Sequence, residues 1–454
     1  MKKFIILPMF ALCAMAANAQ DFDSKPTVTI DNEQEDLHFT VGARFMADAA
    51  WYHNDYTPMQ SGATIADARI RTSLTYQDWY FYADFGFGGG KFSQKNIFLR
   101  YNQKDNKGGN HDIQVGYYNN AAGSMARNTS LGSYHFISRA GAANALGEGR
   151  ELGITYKFTN DKFMAYQGVT TENQYNKIES GFNGIVLSGR YQYRPINDGT
   201  QTLMIGGNIR YQHVGGGVTE NNVLKKTITL GQSMETFVDE DERFVSCELP
   251  WAENVLDAGA EALYHNDKLF VRGEYLYKHV TKKRDSKTLV DASNNNVDTW
   301  GTLDAWITAN PLRSNNFHGG YVEAGYMIFG NPYQFDSRNG TLKGLSGRSL
   351  EIVGRFNYTG LNDINAGEYY SAGRDQYYPD GMMADYPYKS SSVGGGAVRS
   401  WTLGVNYSLP PGGTYSFNRF VQAMLDYTYS NLSKDKYAYD KNFHMVQARV
   451  QFVF

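Results

Sequence analysis

The chain has 454 residues, with 47 glycines, 34 tyrosines and 26 phenylalanines against 11 prolines and two cysteines. No Pro- or Ser-rich linker or charge-run tail divides it, so one large all-β unit fits better than a string of soluble domains. The formal charge is −3, and without Lys2 and Lys3 the 43 basic residues fall to 41 against 46 acidic, a net of −5; that balance excludes a basic nucleic-acid surface.

Lys2 and Lys3 precede the apolar run "FIILPMFALCAMAA", and "ANA" stands before Gln20. Residues 1–19 therefore read as a secretory signal peptide cleaved near Ala19. Cleavage removes Cys13 and leaves Cys247 as the only thiol, which excludes an intramolecular disulfide and a cysteine-rich metal site. A short N-terminal segment, 20–36, follows.

From residue 37 onward the pattern alternates with period two, the signature of strands with one apolar and one wet face. In "FTVGARFMADAAW", Phe39, Val41, Ala43, Phe45, Ala47, Ala49 and Trp51 share a face, while Arg44 and Asp48 lie on the other. "ADARIRTSLTY", "WYFYADFGF" and "WTLGVNYSL" repeat it, and "FHMVQARVQFVF" closes the chain with Val446, Ala448, Val450 and Phe452 opposite Gln447, Arg449 and Gln451. Sixteen strands are expected, centred near residues 45, 71, 83, 99, 114, 154, 166, 189, 207, 260, 274, 325, 354, 405, 425 and 449.

The connections alternate in length. Short ones such as "QD" (77–78), "TNDK" (159–162) and "HND" (265–267) are rich in turn formers. Between them fall the long segments 53–65, 118–149, 171–183, 214–254, 279–318 and 359–399; the exception is 330–348, a long segment in the short series. An even number of antiparallel strands with tight turns at one end and long loops at the other is the pattern of a transmembrane β-barrel, residues 37–454 forming one such barrel. Trp51, Trp79, Tyr101, Tyr117, Tyr211, Tyr277, Tyr407 and Tyr427 stand at the ends of the apolar bands, where interfacial girdles belong. The barrel places the protein in a bacterial outer membrane, in contact with its lipid.

Sixteen strands enclose a lumen wide enough for water and solute. Its wet-face charges are balanced in number but not in position. Closing the barrel brings Arg449 and Arg44 beside Arg69 and Arg71, with Arg100 further along, whereas Glu261, Glu274, Glu323 and Glu351 fall on successive later strands. Such an arrangement sets a transverse field across a pore and tunes ion selectivity. The third long loop, 118–149, is rich in small residues and is expected to fold inward, carrying Arg127 and Arg139 as pore-lining cations beside His135.

The series "ADARIRTSLTYQDWYFYADFGF", "KNIFLRYNQK", "HDIQVGYYNNAAGSMARNTSLGSYHFISR", "GYMIFGNPYQFDSR" and "SLEIVGRFNYTGLND" resembles the phosphate-selective porin O/P family over essentially the whole mature chain. The resemblance implies a trimeric outer-membrane porin with its third loop in the pore and a preference for anions or phosphate, with Arg69, Arg71, Arg127 and Arg139 in the matching segments. The expected function is passive diffusion of small hydrophilic solutes and ions through a water-filled channel, without a cofactor. An enzyme is not expected, since HExxH, GxSxG and P-loop motifs are absent. Two other readings stay open: a barrel for oligosaccharide uptake, and surface binding or adhesion by loops carrying Tyr369, Tyr370, Tyr377, Tyr378, Tyr386 and Tyr388.

Overall fold

The computed structural model describes residues 28–32, 36–53, 59–88, 92–120, 123–172, 181–182, 184–218, 224–225, 227–240, 245–250, 252–282, 314–363, 393–409, 421–433 and 442–453. The expected signal peptide, the loop tyrosines from Tyr369 to Tyr388 and the terminal Phe454 lie outside them.

Sixteen strands form the barrel, and every expected strand centre falls within one. They are β1 (Leu37–His53), β2 (Gly62–Tyr76), β3 (Trp79–Gly86), β4 (Ser93–Lys104), β5 (Asn110–Asn119), β6 (Arg150–Thr159), β7 (Phe163–Thr171) and β8 (Ile185–Asn197). The second half comprises β9 (Thr202–His213), β10 (Ala252–His265), β11 (Leu269–Lys282), β12 (Asn315–Phe329), β13 (Ser349–Asp363), β14 (Val393–Leu409), β15 (Val421–Ser433) and β16 (Asn442–Val453). Each strand pairs antiparallel with its neighbour in sequence, and β16 returns to β1 with Asp48 opposite Arg449 and His53 opposite His444. Closure leaves no edge whose backbone groups would go unpaired in lipid.

The short segment before the barrel also contains a strand. Val28–Asn32 pairs with Leu37–Val41 of β1, on the edge that β16 leaves at Val453, opposite Arg44. It thus prolongs the seam at the short-turn end.

Burial is inverted relative to a soluble protein. Leu403, Ile209, Val169 and Val322 are more than half exposed on the outer wall, whereas Glu323, Glu351 and Asp426 are wholly buried inside. Only a surrounding apolar medium makes that distribution favourable. Among the described residues no helix is long and apolar enough to cross a membrane; the crossing is made by strands.

Simple parity fails at bulges. Met46 pairs with Asp67 but Ala47 pairs with Ile65, so Ala66 is an extra residue in β2. It lets Ile65 point outward, half exposed, while Asp67 two residues later is buried inside.

Candidate functional site: the barrel lumen

Three segments enter the lumen and are held there by side chains of the wall. The first is the loop between β5 and β6. It contains two short helices, α1 (Met125–Asn128) and α2 (Gly141–Leu146), with a 3₁₀ turn at Leu131–Ser133 between them. Ser124 caps α1 by accepting from the Arg127 N–H at 3.2 Å. The small residues allow close packing: Ala126, Ala140, Ala142 and Ala143 are fully buried, and a Cβ at Gly141 would collide with the Gln232 side chain. Arg127 and Arg139 staple the loop to itself. Arg127 donates to the carbonyls of Ala143 and Asn144, both at 2.9 Å, and Arg139 to those of Ala126 and Thr129 at 2.7 and 2.8 Å. Burial, and then repulsion from Arg127, pulls Arg139 down to about 9.

The partners of this loop are the acids of the later strands. Glu274 accepts from the backbone N–H groups of Met125 and Ala126, and Glu323 accepts from Tyr134 Oη at 2.8 Å. His135 contacts Glu351 through Nδ1 at 2.9 Å and the Lys343 carbonyl through Nε2 at 3.0 Å. Asp426 takes the Ile137 N–H, and Asn357 that of Ala142, each at 2.9 Å. At the loop's far end Glu148 meets Lys278 at 2.5 Å and Arg210 at 3.7 Å. Burial opposes ionisation there, but these two cations outweigh it and hold the Glu148 carboxyl at about 2.

The second inserted segment is Ser233–Glu240, from the loop between β9 and β10. Glu235 adopts a left-handed φ of 60° and joins the barrel wall to the first loop. It bonds Arg355 at 2.8 Å, the Ser400 hydroxyl at 3.2 Å and the Gly141 N–H at 2.8 Å. The third is the long turn 330–348, which enters from the opposite end. Its Asn339 and Gly340 carbonyls accept from Arg190 at 2.9 and 3.1 Å, Ser337 from Arg194 at 2.7 Å and Arg338 from Lys157 at 3.1 Å. The Arg338 guanidinium reaches Asp112 on β5 at 2.8 Å.

These insertions sort the charged residues expected to line the pore. Glu261, Glu274, Glu323 and Glu351 are at most 5 % exposed. Glu261 is paired with Arg190 and Glu323 with Arg272; Glu274 and Glu351 are occupied by the first loop. Arg44 and Arg449 are likewise buried, on Asp67 and in a two-bond pair with Asp48 at 2.6 and 2.7 Å. Arg69, shared between Asp67 and Asp84, and Arg100, beside Asp112, each keep 15 % side-chain exposure. Arg71, Arg127 and Arg139 are also partly exposed.

Among the wall strands the partly exposed lumen cations therefore cluster on β2–β6, while on the first loop the acid Glu148 keeps 29 % side-chain exposure. Beside Arg69, Arg71 and Arg100 stand Lys95, Arg150 and Lys157, with Arg338 approaching from the inserted turn at 41 % side-chain exposure. Asp67, Asp84 and Asp112 in the same sector are at most 8 % exposed, each touching at least one guanidinium. Tyr80, Tyr82 and Phe98 add a row of rings: Tyr82 lies 5.3 Å from Phe98, and Arg100 sits 4.3 Å over Tyr80. Sequence reasoning passed over Arg338, Arg150 and Lys95 as site residues. The first ends the "NPYQFDSR" stretch of the exceptional long turn, a length anomaly that pointed to it.

A closed sixteen-strand antiparallel barrel with a lipid-type outer wall and charged, loop-narrowed lumen defines the class of outer-membrane porins. The chain belongs to the phosphate-selective porin O and P family, which matches residues 39–454. OmpT of Vibrio cholerae is similar in fold, with TM-score 0.50 and 10% identity over 94% of this chain and 99% of that one. The outer membrane channel DcaP of Acinetobacter baumannii aligns with the same TM-score, identity and coverage. No curated protein sequence matches this one.

Proposed function

We propose that the protein is a passive diffusion channel for small hydrophilic solutes that favours anions, working as a homotrimer in the bacterial outer membrane. The family supports the channel. The preference rests on one observation: the charged side chains of β2–β6 that retain exposure are cationic, whereas the carboxylates among them are covered by their partners. A cation whose counter-charge is buried still presents donors to a passing anion, and field lines concentrate in a low-dielectric cleft. Arg69, Arg71, Arg100, Lys157 and Arg338 are the residues assigned to this selectivity. Arg127 and Arg139 brace the inward-folded loop and bias the potential without having to bind solute.

Purified protein in a planar bilayer should give open-channel steps, and under a salt gradient its reversal potential should carry the sign of anion preference. Replacing both Arg69 and Arg71 with alanine should move that potential toward cations. An unchanged potential would remove these two residues from the mechanism. Oligosaccharide uptake is a second reading favoured by a particular feature, the ring row Tyr80, Tyr82 and Phe98, since a sugar face stacks on such rings. Solute blockage of the current by maltooligosaccharides distinguishes it.

A further inference from the structure

The outer wall is asymmetric at its long-loop end. On β9, β11, β12, β14, β16 and β1 the outward positions there carry His213, His279, His318, Arg399, His444 and His53. Near the same end of β2, β3, β4, β6, β7 and β8 the outward positions include Ile65, Phe87, Phe92, Leu152, Val169 and Ile185, all exposed and apolar. An arginine facing lipid is costly at the bilayer midplane and nearly free of cost near the interface. The level of Arg399 is therefore the headgroup level.

At one place these side chains form a patch. Arg399 on β14 is opposite Tyr358 on β13 in register, with its guanidinium 5.7 Å from the ring centroid. The His318 ring on β12 lies 5.4 Å from the Tyr358 ring and 6.0 Å from that of Tyr275 on β11, centroid to centroid. Gly320 and Gly360 are the small neighbours between them: Tyr358 is opposite Gly320, and His318 is opposite Gly360. The nearby acid, Asp363, accepts from the Asn316 N–H at 2.9 Å and from the Asn315 amide at 3.2 Å. No carboxylate among the described residues forms an ion pair with Arg399, which is exposed. Further round the wall, His444 is held by Tyr427 Oη at 2.8 Å, and His53 stacks on Trp51 at 5.5 Å.

We propose that this patch docks the phosphorylated headgroup of an outer-leaflet glycolipid, with Arg399 and His318 contacting phosphate oxygens and Tyr358 lying against the sugar or acyl boundary. The chemistry fits the position. A guanidinium fork matches a phosphate in geometry and charge. Tyrosine and histidine present an apolar body with a polar tip, as a headgroup boundary requires.

The test is native mass spectrometry of the full chain in detergent, offered lipid A, the same glycolipid without its phosphates, or inorganic phosphate. Wild-type protein should retain lipid A and release the dephosphorylated form. Arg399→Ala combined with His318→Ala should retain lipid A about tenfold less, the worth of one charge-assisted hydrogen bond, and Arg399→Lys should fall between. Both side chains point away from the lumen, so single-channel conductance of the same variants reports that the barrel is intact. Should the double variant fail to insert, His318→Ala and Arg399→Lys alone carry the comparison. Equal retention of both glycolipids, undiminished retention by the variants, or displacement of lipid A by inorganic phosphate would overturn the proposal.

Discussion

Arg355 and Glu235 tie two loops to the barrel wall. The guanidinium lies over the Phe136 ring at 4.5 Å, donates to the Ser138 carbonyl at 2.7 Å and to Glu235 at 2.8 Å, and all of these groups are buried. Burying such a pair gains little over an apolar pair, but removing one partner leaves a charge without compensation. Arg355 keeps Glu323 at 3.5 Å, however, so Glu235→Ala should destabilise the folded loops by about 1–3 kcal/mol, the cost of buried donors left without an acceptor, and free the Gly141 N–H. Limited proteolysis of the protein in detergent checks this. Cleavage within 120–149 should appear in the variant and not in wild type, and identical digestion patterns would show that the pair does not anchor the loop. Glu235→Gln, which keeps the acceptor for the Gly141 N–H but loses the charge, should give an intermediate pattern.

At the scale of elements, the turn 330–348 behaves as a wall-anchored insert whose backbone carbonyls are the acceptors for Arg190, Arg194 and Lys157. Gly340 has a left-handed φ of 61°, and a Cβ there would lie 1.9 Å from Gln192 Oε1. Gly340→Val should dislodge the turn, both through backbone strain and through that collision. The single-channel conductance should rise, and the anion preference should weaken as Arg338 leaves Asp112. A wild-type conductance in this variant would mean the turn stays seated or does not narrow the path. The strands were legible because a period-two pattern needs only one residue type per face, and all sixteen centres followed from it. The inward course of the first loop was an expectation and the length of 330–348 stood out, but which wall groups grip the inserts was not legible, for a chemical reason. An acid that grips a loop and an acid that lines water look alike in sequence, and Glu323 and Glu351 belong to the first kind. Bulges such as that at Ala66 add a second blind spot, because one extra residue exchanges the two faces without altering composition. Arg69, Arg71 and Arg100 were readable as lumen cations, but their remaining exposure depended on where the inserts pack.

For the whole molecule, the distribution of exposed charge makes selectivity a matter of field as much as of binding. The chain carries nearly balanced totals of acid and base, and both signs are buried in the later strands, so the preference follows from the β2–β6 sector, where the carboxylates are covered and the cations are not. Fields from partly exposed cations are screened by salt, with a Debye length of about 10 Å at 0.1 M and about 3 Å at 1 M. If Arg69, Arg100, Lys157 and Arg338 act through such a field, the anion-to-cation permeability ratio should decline steadily toward one as salt is raised from about 0.1 to 1 M. Conductance should meanwhile keep rising with concentration. A solute-binding site would behave differently, with conductance saturating once the site is filled and the permeability ratio holding nearly constant. Reversal potentials at a fixed gradient ratio, repeated at increasing mean concentration, separate the two. A salt-independent ratio with saturating current would show that a localised anion site, rather than the screened field of the β2–β6 sector, governs passage.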